Sequence, residues 1–357
     1  MFPMKWSVPL IPDPSYVSFL ARRRHTLASV YFNPGLEGAW DARVQPSDWG
    51  PKAISRALES LGTVKAYALF NTRFTTPDKY QDTDFLTQTL DGLSQLHRLS
   101  GITGLVITDF YLLHALGRTR HPLIEELEAV PGINCMIDSP EKAFAFLEQV
   151  ELAGFKRPTR FLADRSLNRN PEDLARFSTR LKQAYPDMDL ELLANEGCLS
   201  HCPFKLSHDA QISLSNTGSC REMTHEINRK LGCRNYLAQQ PEKILASPFI
   251  RPEDQWAYLP QVDSFKLCGR TLGPGFLTAC IRAYQDEVYT GNLLELLDAA
   301  HFLADHYHLD NAALGPDFLQ RIQSCTNQCK SCRVCRELYT RSMHPKPVTF
   351  KIFKDLK

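Results

Sequence analysis

Short runs of β-branched and aromatic residues alternate with longer amphipathic stretches along most of this chain, and that rhythm limits the possible folds more than any other feature. Strands are expected at TLASVYF (26–32), VKAYALF (64–70), ITGLVIT (102–108), INCMID (133–138), TRFLA (159–163), DLELLA (189–194), ILASPF (244–249) and SFKLC (264–268). Helical patterns such as PKAISRALESLG, DFLTQTLDGLSQLHRLSG, SPEKAFAFLEQVELAG and NPEDLARFSTRLKQAYP lie between them. Ser139-Pro140 and Asn170-Pro171 are helix starts, a capping side chain followed by a proline that needs no amide partner. GPGFLTACIRAYQDEVY and NLLELLDAAHFLADHYH continue the helical pattern beyond the last strand. Alternation of this kind builds a parallel sheet, and eight strands close a (β/α)8 barrel; a doubly wound open sheet is the alternative. The expectation is an α/β fold, a TIM-like (β/α)8 barrel over 1–314, followed by a cysteine-rich C-terminal extension and basic tail over 315–357.

The 357 residues carry a net charge of +1, so no long-range field of one sign points to nucleic acid or to an anionic membrane. The N-terminal stretch MFPMKWSVPLIPDPSYVSFLARRRH has no sustained apolar run and reads as neither a signal peptide nor a membrane anchor. A cytoplasmic protein is expected, and there eleven cysteines are better explained as ligands or redox groups than as disulfides. H-E-x-x-H and G-x-S-x-G are both absent, so the common zinc-protease and serine-hydrolase signatures do not apply.

Cys325, Cys329, Cys332 and Cys335 fall within the single run CTNQCKSCRVC. Thiolates at this spacing can wrap one compact metal centre. Zinc usually takes two separated pairs, so a tight run leans towards a [4Fe–4S] cluster, with zinc as the alternative. Lys330, Arg333 and Arg336 lie among the ligands and would offset their negative charge. The first three cysteines also match the spacing of radical S-adenosylmethionine enzymes. That reading fails because the run follows the last strand and Cys335 supplies a fourth ligand. A second, sparser set comprises Cys198 and Cys202 after the sixth predicted strand, then Cys220 and Cys233 before the seventh. Cys135 and Cys280 read as ordinary buried thiols.

In a barrel the functional groups gather where strands end. Glu196 directly precedes Cys198 and is a candidate general acid or base, or else an ionic partner for a rim arginine. Asp164 and His201 are further acid–base candidates. Arg165, Arg169, Lys266 and Arg270 would share the same rim and suit a small anionic substrate or co-substrate.

LLANEGCLSHCPFK, FLADRSLNRN and DSFKLCGRT, the last containing lysine-x-x-glycine-arginine, together resemble the peptidase U32 family, also called collagenase-like, over roughly residues 100–290. The resemblance implies a barrel and, on the pattern of its oxygen-independent hydroxylase branch, a [4Fe–4S] cluster on Cys198, Cys202, Cys220 and Cys233. Relatives in that branch act on ubiquinone precursors or RNA bases with prephenate as oxygen donor. The implied function is redox modification of a small-molecule, peptide or RNA substrate. The alternatives are a peptidase, or an iron-sulfur partner protein in a hetero-oligomeric maturation complex. The C-terminal run lies outside the common core of the family, which implies two metal centres here.

Overall fold

The computed structural model describes residues 4–347 apart from 38–39, 44–49, 222, 260, 324 and 326. Most of the expected basic tail, including Lys351, Lys354 and Lys357, lies outside the described residues. Eight parallel strands form one sheet: β1 (Lys5–Pro9), β2 (Leu27–Phe32), β3 (Lys65–Phe70), β4 (Gly104–Ile107), β5 (Glu128–Pro131), β6 (Arg160–Leu162), β7 (Asp189–Leu193) and β8 (Ser264–Lys266). They pair in the order β5-β4-β3-β2-β1-β8-β7-β6, so the first and last strands in sequence lie side by side. The β5–β6 seam is bridged just before β6, where Lys156 N donates to Leu127 O at 2.9 Å and its carbonyl receives Ala129 N. This is a nearly closed (β/α)8 barrel, as expected.

Three expectations need correction. Residues 133–138 are not a strand: β5 ends at Pro131, Ile133–Cys135 is a 3-10 turn, and Met136 adopts a left-handed conformation (φ +53°) that ends any extension. Residues 244–249 are not a strand either. Pro241 opens a 3-10 segment through Ala246 that buries Ile244 and Leu245 in a side core instead of a ladder. The missing strand is β1, where Trp6 and Val8 are buried between neighbouring strands. The stretch from Asn292 also departs from a continuous helix. It forms two 3-10 turns, Leu293–Leu296 and His301–Asp305, and then a short strand, Tyr307–Leu309. Between the turns the backbone leaves helical geometry to donate from Asp298 N to Asn195 O and from Ala299 N to Glu196 O.

The lower barrel interior is polar. Arg160 donates to the Ser7 and Ser29 hydroxyls and, at 3.1 Å, to Glu191, while its guanidinium lies 4.5 Å from the centre of the Tyr67 ring. Tyr67 in turn donates to Glu128 at 2.8 Å. Above this layer sit Tyr31, Leu69, Val106 and Val130. Helices including Pro140–Leu152 and Pro171–Ala184 pack outside, opened by the expected caps: Ser139 accepts from Lys142 N and Asn170 from Asp173 N.

A long insertion, residues 194–263, leaves β7 and returns to β8 across the C-terminal face of the barrel, carrying helices Lys205–Asn216, Thr224–Lys230 and Cys233–Gln239. A second apolar core forms beside it. Leu237, Ile244, Leu245 and Phe249 of the insertion pack with Leu293, Leu296, Phe318, Ile322, Leu338 and Met343. Residues 315–345 are therefore fastened to the barrel mouth by a shared core, and Met343–Pro345 pairs antiparallel with Tyr307–Leu309.

Candidate functional site

The end of β7 sets the geometry of the mouth. Asn195 is fully buried; its amide donates to Cys268 O and Leu296 O, both at 3.0 Å, and its oxygen accepts from Cys268 N at 2.7 Å. These bonds lock β7, β8 and the 293–301 loop together. The chain then turns at Gly197 (φ +72°), where a side chain would meet Leu297 and Ala300. Glycine is required there on two grounds, conformation and space. That turn delivers Cys198, whose carbonyl is held by the Ser247 hydroxyl at 2.5 Å.

Cys198, Cys202, Cys233 and Cys268 line one cavity of about 350 Å³ above Tyr31, Leu69 and Val106. Cys198, Cys202 and Cys233 lie close enough for their charges to interact. Burial pushes the Cys198 thiol up, and Arg165 and Lys205 pull it back down. Burial likewise raises Cys268, helped by Asp298. Thiols in this setting stay protonated until something cationic takes them as ligands. Among the described residues, no three sulfur, imidazole or carboxylate groups are already closed around one metal-sized point.

The cavity wall is rich in cations, most of them paired. Arg43 faces Asp298 at 3.5 Å, and Arg270 is paired with buried Asp41. Lys205 reaches Asp209 at 2.6 Å and Asn134 at 2.7 Å. Arg234 stacks 4.3 Å from the centre of the Phe302 ring. Lys266 differs: its ammonium sits 4.0 Å over the Tyr31 ring and has no hydrogen-bond acceptor among the described residues. Burial lowers its pKa to about 8 against the opposing pull of Glu191. The floor thus offers a positive charge whose partner would have to come from a ligand.

Lys266 and Arg270 line the cavity as expected, and Glu196 does too. Glu196, however, is ion-paired with Arg165, so it stands as an arginine partner. Asp164 caps the following turn by accepting from Ser166 N at 2.8 Å, and it is not among the cavity-lining residues. Arg169 turns away from the cavity; two of its nitrogens donate to Ser247 O, and it stacks between Phe249 and Phe318. His201 is exposed in a left-handed conformation (φ +49°), outside the cavity wall. Cys220 is also exposed and off the wall, beyond the helix that follows Cys202.

Sequence reasoning missed Arg43, Lys205, Asp298 and His301, all on the wall. Lys205 closes the CLSHCPFK stretch and was within reach of the strand-end rule. Arg43, Asp298 and His301 come from loops with no local signal. Cys325, Cys329 and Cys332 are exposed and Cys335 is half-buried against the second core. Lys346, the described lysine of the tail, pairs with Glu295 at 3.6 Å. No described helix is long and apolar enough to cross a membrane.

Fold and mouth define an eight-stranded parallel barrel with a thiol-lined, cationic cavity at the strand ends. An uncharacterized protease of Methanocaldococcus jannaschii is 30% identical over 253 residues, 71% of this chain and 70% of that protein. The chain belongs to the peptidase U32 family. The solved structure of the U32 peptidase Mk0906 superposes with a TM-score of 0.45 at 16% identity, covering 75% of this chain and 93% of that one. No protein-family model matches.

Proposed function

We propose that this U32-family chain is an iron-sulfur enzyme that modifies a small anionic substrate held in the barrel mouth. The observation that carries the reading is the meeting, in one cavity, of the neighbouring thiols Cys198, Cys202 and Cys233 with the acceptor-free ammonium of Lys266. Soft thiolates suit an iron-sulfur cluster, and their thiols fit that role as neighbours held by a rigid glycine turn and a helix. Cys198, Cys202 and Cys233 would hold the cluster, with exposed Cys220 as the fourth member of the set. When bound, the cluster would supply one-electron transfer or Lewis acidity at the mouth. Lys266 would take a carboxylate or phosphate of the substrate, with the Tyr31 ring packing beneath it. Arg43, facing Asp298, stands ready as a second anion contact. Glu196, neutralised by Arg165, fixes the rim and does not carry a proton.

Iron, sulfide and zinc content of anaerobically purified protein tests this, beside a Cys198→Ser, Cys202→Ser variant. The reading expects about four irons and four sulfides lost in the variant. Protein that holds no iron after cluster reconstitution would overturn it. A thiol-dependent peptidase is the second reading, favoured by His301, whose buried Nδ1 has no partner on the same wall as Cys198 and Cys268. Peptide hydrolysis that persists in iron-free protein and is lost in His301→Ala would put it first.

A further inference from the structure

The C-terminal cysteines remain outside that account, yet the fold has built a setting for them. Helix Phe318–Gln323 before them and helix Val334–Ser342 after them are both anchored in the second core, and Arg321 pairs with Glu337 at 2.8 Å between the two. The intervening loop is thereby closed at its base. Asn327 reverses the chain in a left-handed conformation (φ +58°), and Gln328 O accepts from Ser331 N at 3.1 Å and Cys332 N at 3.0 Å. This turn brings Cys329 and Cys332 round to one end of the loop, while Cys335 begins the anchored helix.

Cations from elsewhere in the fold converge on the loop. Lys243, in the 3-10 segment after Cys233, approaches Cys329 within hydrogen-bonding reach. Arg169 lies close enough to Cys325 for their charges to interact, and its Nη1 is buried with no partner among the described residues. A buried guanidinium nitrogen without an acceptor is costly, and an anionic neighbour relieves that cost.

We propose that Cys325, Cys329, Cys332 and Cys335 form a four-thiolate centre for a thiophilic metal, seated against the barrel mouth, with Arg169 and Lys243 balancing its negative charge. This goes beyond the barrel cluster and does not depend on it. Arg169 also joins the two regions: it holds Ser247 O, and the Ser247 hydroxyl holds Cys198 O. The second centre is therefore one residue's hydrogen bonds away from the first set of thiols.

The test compares iron, sulfide and zinc in the full chain with a Cys329→Ser, Cys332→Ser variant and with the barrel variant. Loss of one site's metal in the C-terminal variant, with the barrel complement kept, is the expected result; sulfide separates a cluster from zinc. Equal metal content in parent and C-terminal variant overturns the proposal. Should that variant fail to fold, alkylation of the unaltered protein decides. The four thiols of 325–335 should resist iodoacetamide until a chelator is added, and full labelling without chelator refutes the site. Arg169→Gln should speed chelator extraction of the C-terminal metal roughly tenfold and leave its stoichiometry unchanged. An unchanged extraction rate removes Arg169 from the centre.

Discussion

Replacing Glu191 by leucine isolates the polar layer in the lower barrel. Glu191 is 1% exposed and Arg160 is 5% exposed, and their 3.1 Å contact is the one ion pair in that layer. Removing the carboxylate leaves a buried guanidinium that cannot shed its proton. Breaking such a pair costs about 3–5 kcal/mol. The Ser7 and Ser29 hydroxyls and the Tyr67 ring still face Arg160, so the lower figure, about 3 kcal/mol, applies. For a chain of this size that lowers the melting temperature by roughly 4 °C. The double variant Arg160→Met, Glu191→Leu removes both charges at similar volume and should return to within about 1 kcal/mol of the parent. Urea unfolding of the four proteins, followed by circular dichroism, measures both the loss and the recovery. A double variant as unstable as Glu191→Leu alone would show that the layer is held by shape and not by compensated charge.

Other outcomes follow from the mouth and the second core. Burial keeps the Lys266 pKa at about 8, below that of a lysine in the unfolded chain at ~10.4, so the folded protein gives up this proton first. Sulfate affinity, read by calorimetry, should therefore fall roughly tenfold from pH 8 to 9, and Lys266→Met should remove that dependence. The same difference makes this residue's contribution to stability rise with pH between about 8 and 10.4. Gly197→Ala forces a methyl towards Leu297 and Ala300 at a positive φ, and should cost about 1–3 kcal/mol in thermal unfolding while lowering bound iron. Phe318→Ala removes the ring stacked on Phe249 at 5.8 Å and should cost about 3–5 kcal/mol. Limited proteolysis should then cut within both 240–250 and 325–335.

The fold was legible because β2, β3, β4 and β7 combine apolar runs with firm turn signals, and because helices at Pro140 and Pro171 announce their caps. The strand count of eight was right by compensation. KWSVP was hidden by its charged first residue and the prolines around it, while ILASPF looked like a strand because it is apolar and buried. Burial alone does not say whether a segment meets a ladder or a side core. At the site, the strand-end rule found Cys198, Glu196, Lys266 and Arg270, all fixed to the barrel by a few residues of chain. It placed Arg165 and Arg169 on the rim, where the fold uses them to hold Glu196 and Ser247. Arg43 and Asp298 meet only in three dimensions, across 255 positions, and no local pattern foretells such a pair.

The shared core that binds the end of the chain to the insertion also sets an order of assembly during synthesis. All eight barrel strands have been made by Lys266, and the sheet can close at that point. Ile244, Leu245 and Phe249 must then wait, with their apolar faces uncovered, for Phe318, Leu338 and Met343 to arrive. The mouth is thus finished by residues that take no part in the barrel. A chaperone or a metal-delivering protein would meet a closed barrel with an unfinished lip, and that interval is when the buried thiols of the mouth are easiest to reach.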